Sequence, residues 1–198
     1  ALFVAGAFGL DLLWAIFLLQ GLERVRTDPG NTEFTPLAFD SYPWSHSLLM
    51  ALIWGLLARL GARLWHGSCR TQLLVLVLVV SHWMLDFVSH RPDMPLWPGD
   101  SPKFGLGLWN SVPATLVLEG AMLAAGVFLY VQSTKAVVRV GSLGFWLLIG
   151  LSTTMWAGQP WSAPPPSSGF LAWFSLGGWL LPVWAGWADN HRRERYAK

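Results

Sequence analysis

Of the 198 residues, 54% are hydrophobic and only 12% are charged, and the formal net charge is +2. A soluble domain carries about 25% charged residues, so a water-soluble globule of this size is excluded for want of polar surface. The small charge, carried in short loops, excludes a nucleic-acid binder, and the single Cys69 excludes an internal disulfide or a cysteine-based zinc knuckle.

The composition predicts an all-α fold, a polytopic helical bundle in which residues 1–198 form a single transmembrane domain. A bilayer core takes about 20 apolar residues in helix, and six segments reach or approach that length. The first, Leu2–Leu22, contains Asp11; the chain opens inside this apolar stretch without an initiator Met, so further residues are expected before Ala1. The second is His46–Trp65 and the third Thr71–His90. The fourth, Leu106–Val131, contains Asn110, Pro113 and Glu119; the fifth is Val140–Ala157 and the sixth Phe170–Ala188. Pro113 and Pro182 fall inside spans, where membrane helices tolerate them. The stretch GQPWSAPPPSS, Gly158 to Ser168, predicts a rigid uncharged loop of polyproline character. Of fourteen Trp, many lie near the ends of the apolar runs, Trp44, Trp65, Trp97, Trp109, Trp156, Trp161 and Trp187 among them, at the level where an indole suits the headgroup boundary.

Loop charge sets the expected orientation. Arg59, Arg63 and Arg70, then Lys135 and Arg139, then the basic tail 189–198 (DNHRRERYAK) all fall on one side. The positive-inside rule makes that side cytoplasmic, giving N-in and C-in in a bacterial inner membrane. The opposite loops carry Glu23, Asp28, Glu33, Asp40, Asp93 and Asp100.

The chemistry-bearing residues cluster toward that outer side, within residues 1–110, whereas the Trp-rich spans 140–188 carry none. His82, Asp86 and His90 are spaced i, i+4, i+8 on one helix face, and the first two can reach a single cation. His90 lies about 12 Å along the axis from His82 and is expected to serve a second ion, a substrate or the rim. His46, between Ser45 and Ser47, stands at the same outer level, and Asp11 lies on the first span. Charged groups inside a membrane are costly unless paired, hydrated or bound to a cation. A carboxylate–imidazole mixture suits Zn, Mn or Fe; a buried hydrogen-bond network without metal is the competing reading. Among secondary candidates, Glu119 reads as a structural or proton-handling group. Asn110 could face the cluster or bond a neighbour. Arg91 could hold an anionic group or lie on the surface. Asp40 and Asp93, with Asp11, are the spare carboxylates for a general base, and Lys103 with Arg91 could neutralise a leaving group.

The segments AFGLDLLWAIFLLQGLERVRTDPGNTEFTPLAFDSYPWSHSLL, VVSHWMLDFVSHRPDMPLWPG and KFGLGLWNS resemble a group of bacterial membrane proteins related to the LexA-binding, inner membrane-associated metal-dependent hydrolases. The shared pattern is an Asp on an apolar first segment (Asp11), a Thr/Ser-His-Ser (Ser45-His46-Ser47) and a Ser-His-x-x-x-Asp (Ser81, His82, Asp86). It covers about the first 110 residues. The resemblance implies a metal site built from Asp11, His46, His82 and Asp86.

Three functions are therefore in view. The first is a metal-dependent hydrolase acting near the outer face on a lipid or lipid-linked phosphoester, with Asp11 and Asp86 as its catalytic carboxylates. The second is a non-catalytic accessory subunit packed against other membrane subunits. The third is a transporter or ion-handling protein. Membrane lipids are the expected partners of all three.

Overall fold

The computed structural model describes residues 1–195; the last three residues of the expected basic tail lie outside the described residues. Helices dominate, in agreement with the all-α reading. Among the described residues, four helical stretches are long and apolar enough to cross a membrane: α5 (Cys69–Ser89), α6 (Val112–Ser133), α7 (Arg139–Ala157) and the near-continuous Ser168–Asn190. The last comprises α8 (Ser168–Leu176), a 3-10 turn over Gly177–Trp179 and α9 (Leu180–Asn190). The turn accommodates Pro182, which has no N–H to offer an α-helical carbonyl four residues back.

The first two expected spans are interrupted, and both interruptions serve the site. Leu2–Leu22 is two helices, α1 (Leu2–Ala7) and α2 (Gly9–Leu19), separated at Phe8. His46 does not open the second span. It ends a four-residue helix, α3 (Pro43–His46), after which Ser47 turns extended at φ −81° and ψ 151°. The Ser47 hydroxyl accepts from Met50 N and so caps α4 (Leu48–Leu64), because a serine side chain satisfies an orphan N–H of the first turn. At 17 residues, with Arg59 and Arg63 toward its end, α4 is shorter than the four long stretches. The fourth span also starts late. Gly107 sits at φ +73°, Leu108–Asn110 form a 3-10 turn, and α6 begins only at Val112. Asn110 thus lies outside the helix, and Pro113, in the first turn, breaks nothing.

Three two-stranded antiparallel sheets add to the helices, none of them visible in the hydropathy pattern. At one end β1 (Arg24–Thr27) pairs with β2 (Leu37–Ser41), and β3 (Met94–Pro95) pairs with β4 (Lys103–Phe104). At the other, β5 (Thr134–Ala136) pairs with β6 (Arg192–Glu194), bringing the fourth connection against the tail. The loops of the first end are tied together: Phe34 N donates to Trp109 O, and the Thr27 hydroxyl donates to Pro165 O at 2.9 Å. The core lies just beneath these loops, where Leu10, Trp14, Tyr42, Val79, Trp83 and Met94 pack together.

The long helices carry their apolar side chains outward: Val117, Leu129, Leu143 and Leu180 are 61–72% exposed. An apolar exterior of that extent suits acyl chains and not water. Within the bundle α4 packs on α5, α1 on α5, α2 on α8, and α7 on α9. The α7–α9 contact depends on Gly144, where an added Cβ would stand 2.2 Å from the Trp187 ring. Gly144→Val is therefore expected to lower stability by about 1–3 kcal/mol through overpacking, measured by thermal unfolding in detergent, without change at the opposite, loop-covered end.

Candidate metal centre beneath the hairpin loops

Four of the predicted residues converge. His82 and Asp86, one turn apart on α5, meet His46 from the end of α3 and Asp11 from the first turn of α2. His82 Nε2 lies 3.2 Å from Asp86 Oδ2 and 3.7 Å from Asp11 Oδ2; His46 Nε2 lies 3.5 Å from Asp11 Oδ1 and 3.6 Å from Asp86 Oδ2. Asp11, His46 and His82 each offer a ligand atom within 4.8 Å of the others. Donors bound tetrahedrally at 2.0–2.2 Å stand about 3.3–3.6 Å apart, and the His–Asp separations fall near that range, with Asp11 turning a different oxygen to each ring.

The outer faces of both imidazoles are committed. His82 Nδ1 donates to the Ala7 carbonyl, the one freed at the Phe8 break, at 2.7 Å. A carbonyl can only accept, so Nδ1 carries a proton; in the neutral ring Nε2 then has a lone pair for a metal, and in the imidazolium it is the donor to the facing carboxylates. His46 Nδ1 lies 2.6 Å from Ser45 Oγ. Ser45 Oγ in turn donates to Glu23 Oε2 at 2.7 Å, while Glu23 Oε1 accepts from the backbone N–H groups of Trp44 and Ser45. With Glu23 ionised, the serine proton is spent on it and His46 Nδ1–H donates to Ser45, which leaves His46 Nε2 turned toward Asp11 and Asp86. Burial pushes the Glu23 carboxyl up, and the Ser45 and Trp44 hydrogen bonds oppose that.

The two Nε2 atoms and the two carboxylates thus face one another. Asp86 Oδ2 is buried and takes no hydrogen bond among the described residues, despite its 3.2 Å approach to His82. The contact is close but not directed atom to atom, as expected of donors aimed at a shared point between them. The residues fit a divalent cation. Asp11 is the accessible member, its side chain 48% exposed against 6% for His46.

Asp11, His46 and Asp86 form one wall of a cavity of about 250 Å³, closed by Trp14, Thr35, Leu37, Phe39, Tyr42, His90, Trp109, Gln159 and Leu171. His90 is on this wall and not in the cluster, because the chain turns extended at the end of α5. Its Nδ1 donates to Asp93 Oδ1 at 3.0 Å, and the Tyr42 hydroxyl donates to the same oxygen at 2.7 Å. Burial and then the Asp93 charge hold the Tyr42 phenol well above its usual range, which keeps it a donor. Asp93 is therefore tied to His90 and Tyr42 and is not spare. Asp40 is not spare either: it pairs with Arg26 at 3.1 Å on the exposed face of the hairpin. Arg91 is exposed and bonds the Asn31 side chain, Asn110 is exposed on its 3-10 turn, and Lys103 is an exposed strand residue. Glu119 stands apart, accepting from the Ser89 hydroxyl and from the indole nitrogens of Trp109 and Trp156.

Residues 43–159, more than half of the chain, match the YdjM inner membrane protein family. The chain belongs to that family. The match takes in His46, His82, Asp86, His90 and Asp93 and stops short of Asp11 and Glu23. Membership together with the apolar helices gives an inner-membrane location. No curated protein and no solved structure matches the chain.

Glu23, Tyr42 and Trp14 were not singled out from sequence. Glu23 reads there as one of several loop charges; its lone acidic position directly after an apolar span was the available signal. The Glu119 hub yields a prediction. Glu119→Gln replaces an oxygen that accepts an indole N–H by a group that cannot, or flips to spoil the other pair. It is expected to cost about 1–3 kcal/mol of stability in a detergent unfolding titration, with the Asp11–His46–His82–Asp86 cluster unaffected.

Proposed function

We propose that this chain is a membrane-embedded metal-dependent hydrolase, with His46, His82 and Asp86 holding a Zn, Mn or Fe ion near the outer membrane face. The observation that carries this reading is the convergence: the Nε2 atoms of His46 and His82 lie 3.2–3.7 Å from the Asp11 and Asp86 carboxylates, while each Nδ1 is bound on the far side of its ring. A divalent ion at that point takes the place of the protons that otherwise pair these groups. Bound there, a divalent ion supplies acidification of water and charge stabilisation at a phosphoryl or acyl oxygen.

The protein's own groups divide the remaining work. Asp11, exposed to the cavity, is the carboxylate placed to take a proton from water as general base, since Asp40 and Asp93 are engaged elsewhere. Ser45 and Glu23 hold His46 in its ligand tautomer, and the Ala7 carbonyl does the same for His82. The aromatic and aliphatic side of the cavity would take the organic part of a substrate. Its place beneath the outer loops of a lipid-facing bundle supports a lipid or lipid-linked phosphoester. An N-in, C-in orientation is part of the proposal, supported by the basic residues gathered at the β5–β6 end.

Metal content by mass spectrometry of the detergent-purified full chain tests this. About one transition-metal equivalent is expected in the wild type and none in His82→Ala or Asp86→Ala; Ser45→Ala should retain the metal with about 10–100-fold weaker affinity. Folded wild-type protein without metal would overturn the reading. Asp11→Asn is expected to reduce phosphoester hydrolysis by about 10²–10⁴.

A further inference from the structure

The end of the bundle away from the metal centre carries a strand pair that is electrostatically unfavourable by itself. Only residues 134–138 connect α6 to α7, both long enough to cross a membrane, and β6 follows closely on α9. The β5–β6 ribbon therefore lies where the spans end, at headgroup level. Its register sets Thr134 opposite Glu194, Lys135 opposite Arg193 and Ala136 opposite Arg192.

Side chains alternate along a strand, and directly opposed residues share a face. Arg192 marks the inner face. Its guanidinium carbon lies 5.2 Å from the Tyr130 ring centre and 4.9 Å from that of Phe145, and its Nε donates to the Thr134 hydroxyl at 3.0 Å. Lys135 and Arg193 consequently share the outer face, and both are exposed. Among the described residues neither stands within ion-pair distance of a carboxylate. Like charges directly opposed across a ladder are destabilising. Arg139 adds to that cost, since it opens α7 with no acidic residue in the first turn, where the helix dipole disfavours a cation. The ribbon is nevertheless held closed: Val137 N donates to His191 O at 2.9 Å, and an added Cβ at Gly141 would meet the His191 side chain.

A phosphate between the two cations removes the repulsion, and the adjoining surface selects its carrier. Val137, Val138 and Val140, 46–58% exposed, continue the chain from Lys135 into the apolar exterior of α7. A cation pair bordered by side chains suited to acyl groups fits a phospholipid of net negative charge. Free phosphate has no use for the apolar border.

We propose that the outer face of the β5–β6 ribbon, formed by Lys135 and Arg193, binds the phosphate of an anionic phospholipid. This site is separate from the metal centre and does not depend on the hydrolase reading. Two cations at an anionic headgroup correspond to about a ten- to thirtyfold preference over a zwitterionic lipid.

Native mass spectrometry of the detergent-purified full chain, titrated with phosphatidylglycerol or phosphatidylcholine, tests it. The wild type is expected to retain phosphatidylglycerol with that preference, and Lys135→Gln/Arg193→Gln should retain the two lipids about equally. The exchange Lys135→Arg/Arg193→Lys keeps both charges and should keep the preference. Arg59→Gln/Arg63→Gln, which removes cations from α4, should keep it too. In an uncharged detergent Lys135→Gln/Arg193→Gln should melt no lower than the wild type, because it relieves a like-charge contact. Wild type without a preference, or a glutamine ribbon variant that keeps one, would overturn the site. So would an Arg59/Arg63 variant that loses as much, which would reduce the cations to bulk charge, or displacement of phosphatidylglycerol by an equal concentration of inorganic phosphate.

Discussion

Asp86 carries a buried carboxylate oxygen 3.2 Å from an imidazole nitrogen whose ring is tied by its other nitrogen to a backbone carbonyl. A second imidazole and a second carboxylate crowd the same point. Charged groups of this kind are tolerated at the end of a membrane bundle when they pair with one another or with a cation. Much of the local architecture answers to that constraint. The Phe8 break supplies the Ala7 carbonyl to His82, and the Ser47 break lets His46 point inward from α3 while α4 departs along its own axis. The hairpin between α2 and α3 covers the site and, at its start, places Glu23 under Ser45.

The geometry also explains why the neighbouring polar residues belong to separate groups. Asp93, His90 and Tyr42 satisfy one another, and Glu119 is satisfied by Ser89 and two indoles. Asp40 is neutralised by Arg26 at the surface. Each of these is a local pairing, whereas the Asp11–His46–His82–Asp86 set brings two imidazoles and two carboxylates to one point. That contrast separates the candidate site from the general polarity of this end of the molecule.

The helical class and the four clustered residues were legible because both depend on local patterns. Long apolar runs give spans, and the i, i+4 spacing of His82 and Asp86 puts two donors on one face. Asp11 and His46 could be attached to them from residue type, level in the membrane and the family resemblance. What was not legible depends on contacts distant in sequence. Glu23 reaches Ser45 across 22 positions and Trp109 reaches Phe34 across a longer gap, so neither leaves a periodic trace. The breaks at Phe8 and Ser47 were hidden because hydropathy continues through them. His90 was placed on the His82 face by extrapolating α5 past its last residue, where the backbone in fact turns extended.

Zinc X-ray absorption on the loaded full chain addresses the central claim most directly. The account predicts a nitrogen and oxygen shell at about 2.0–2.2 Å, with outer-sphere scattering from two imidazoles that falls to one ring in His46→Ala. A spectrum without imidazole scattering, or one unchanged by that substitution, would contradict it.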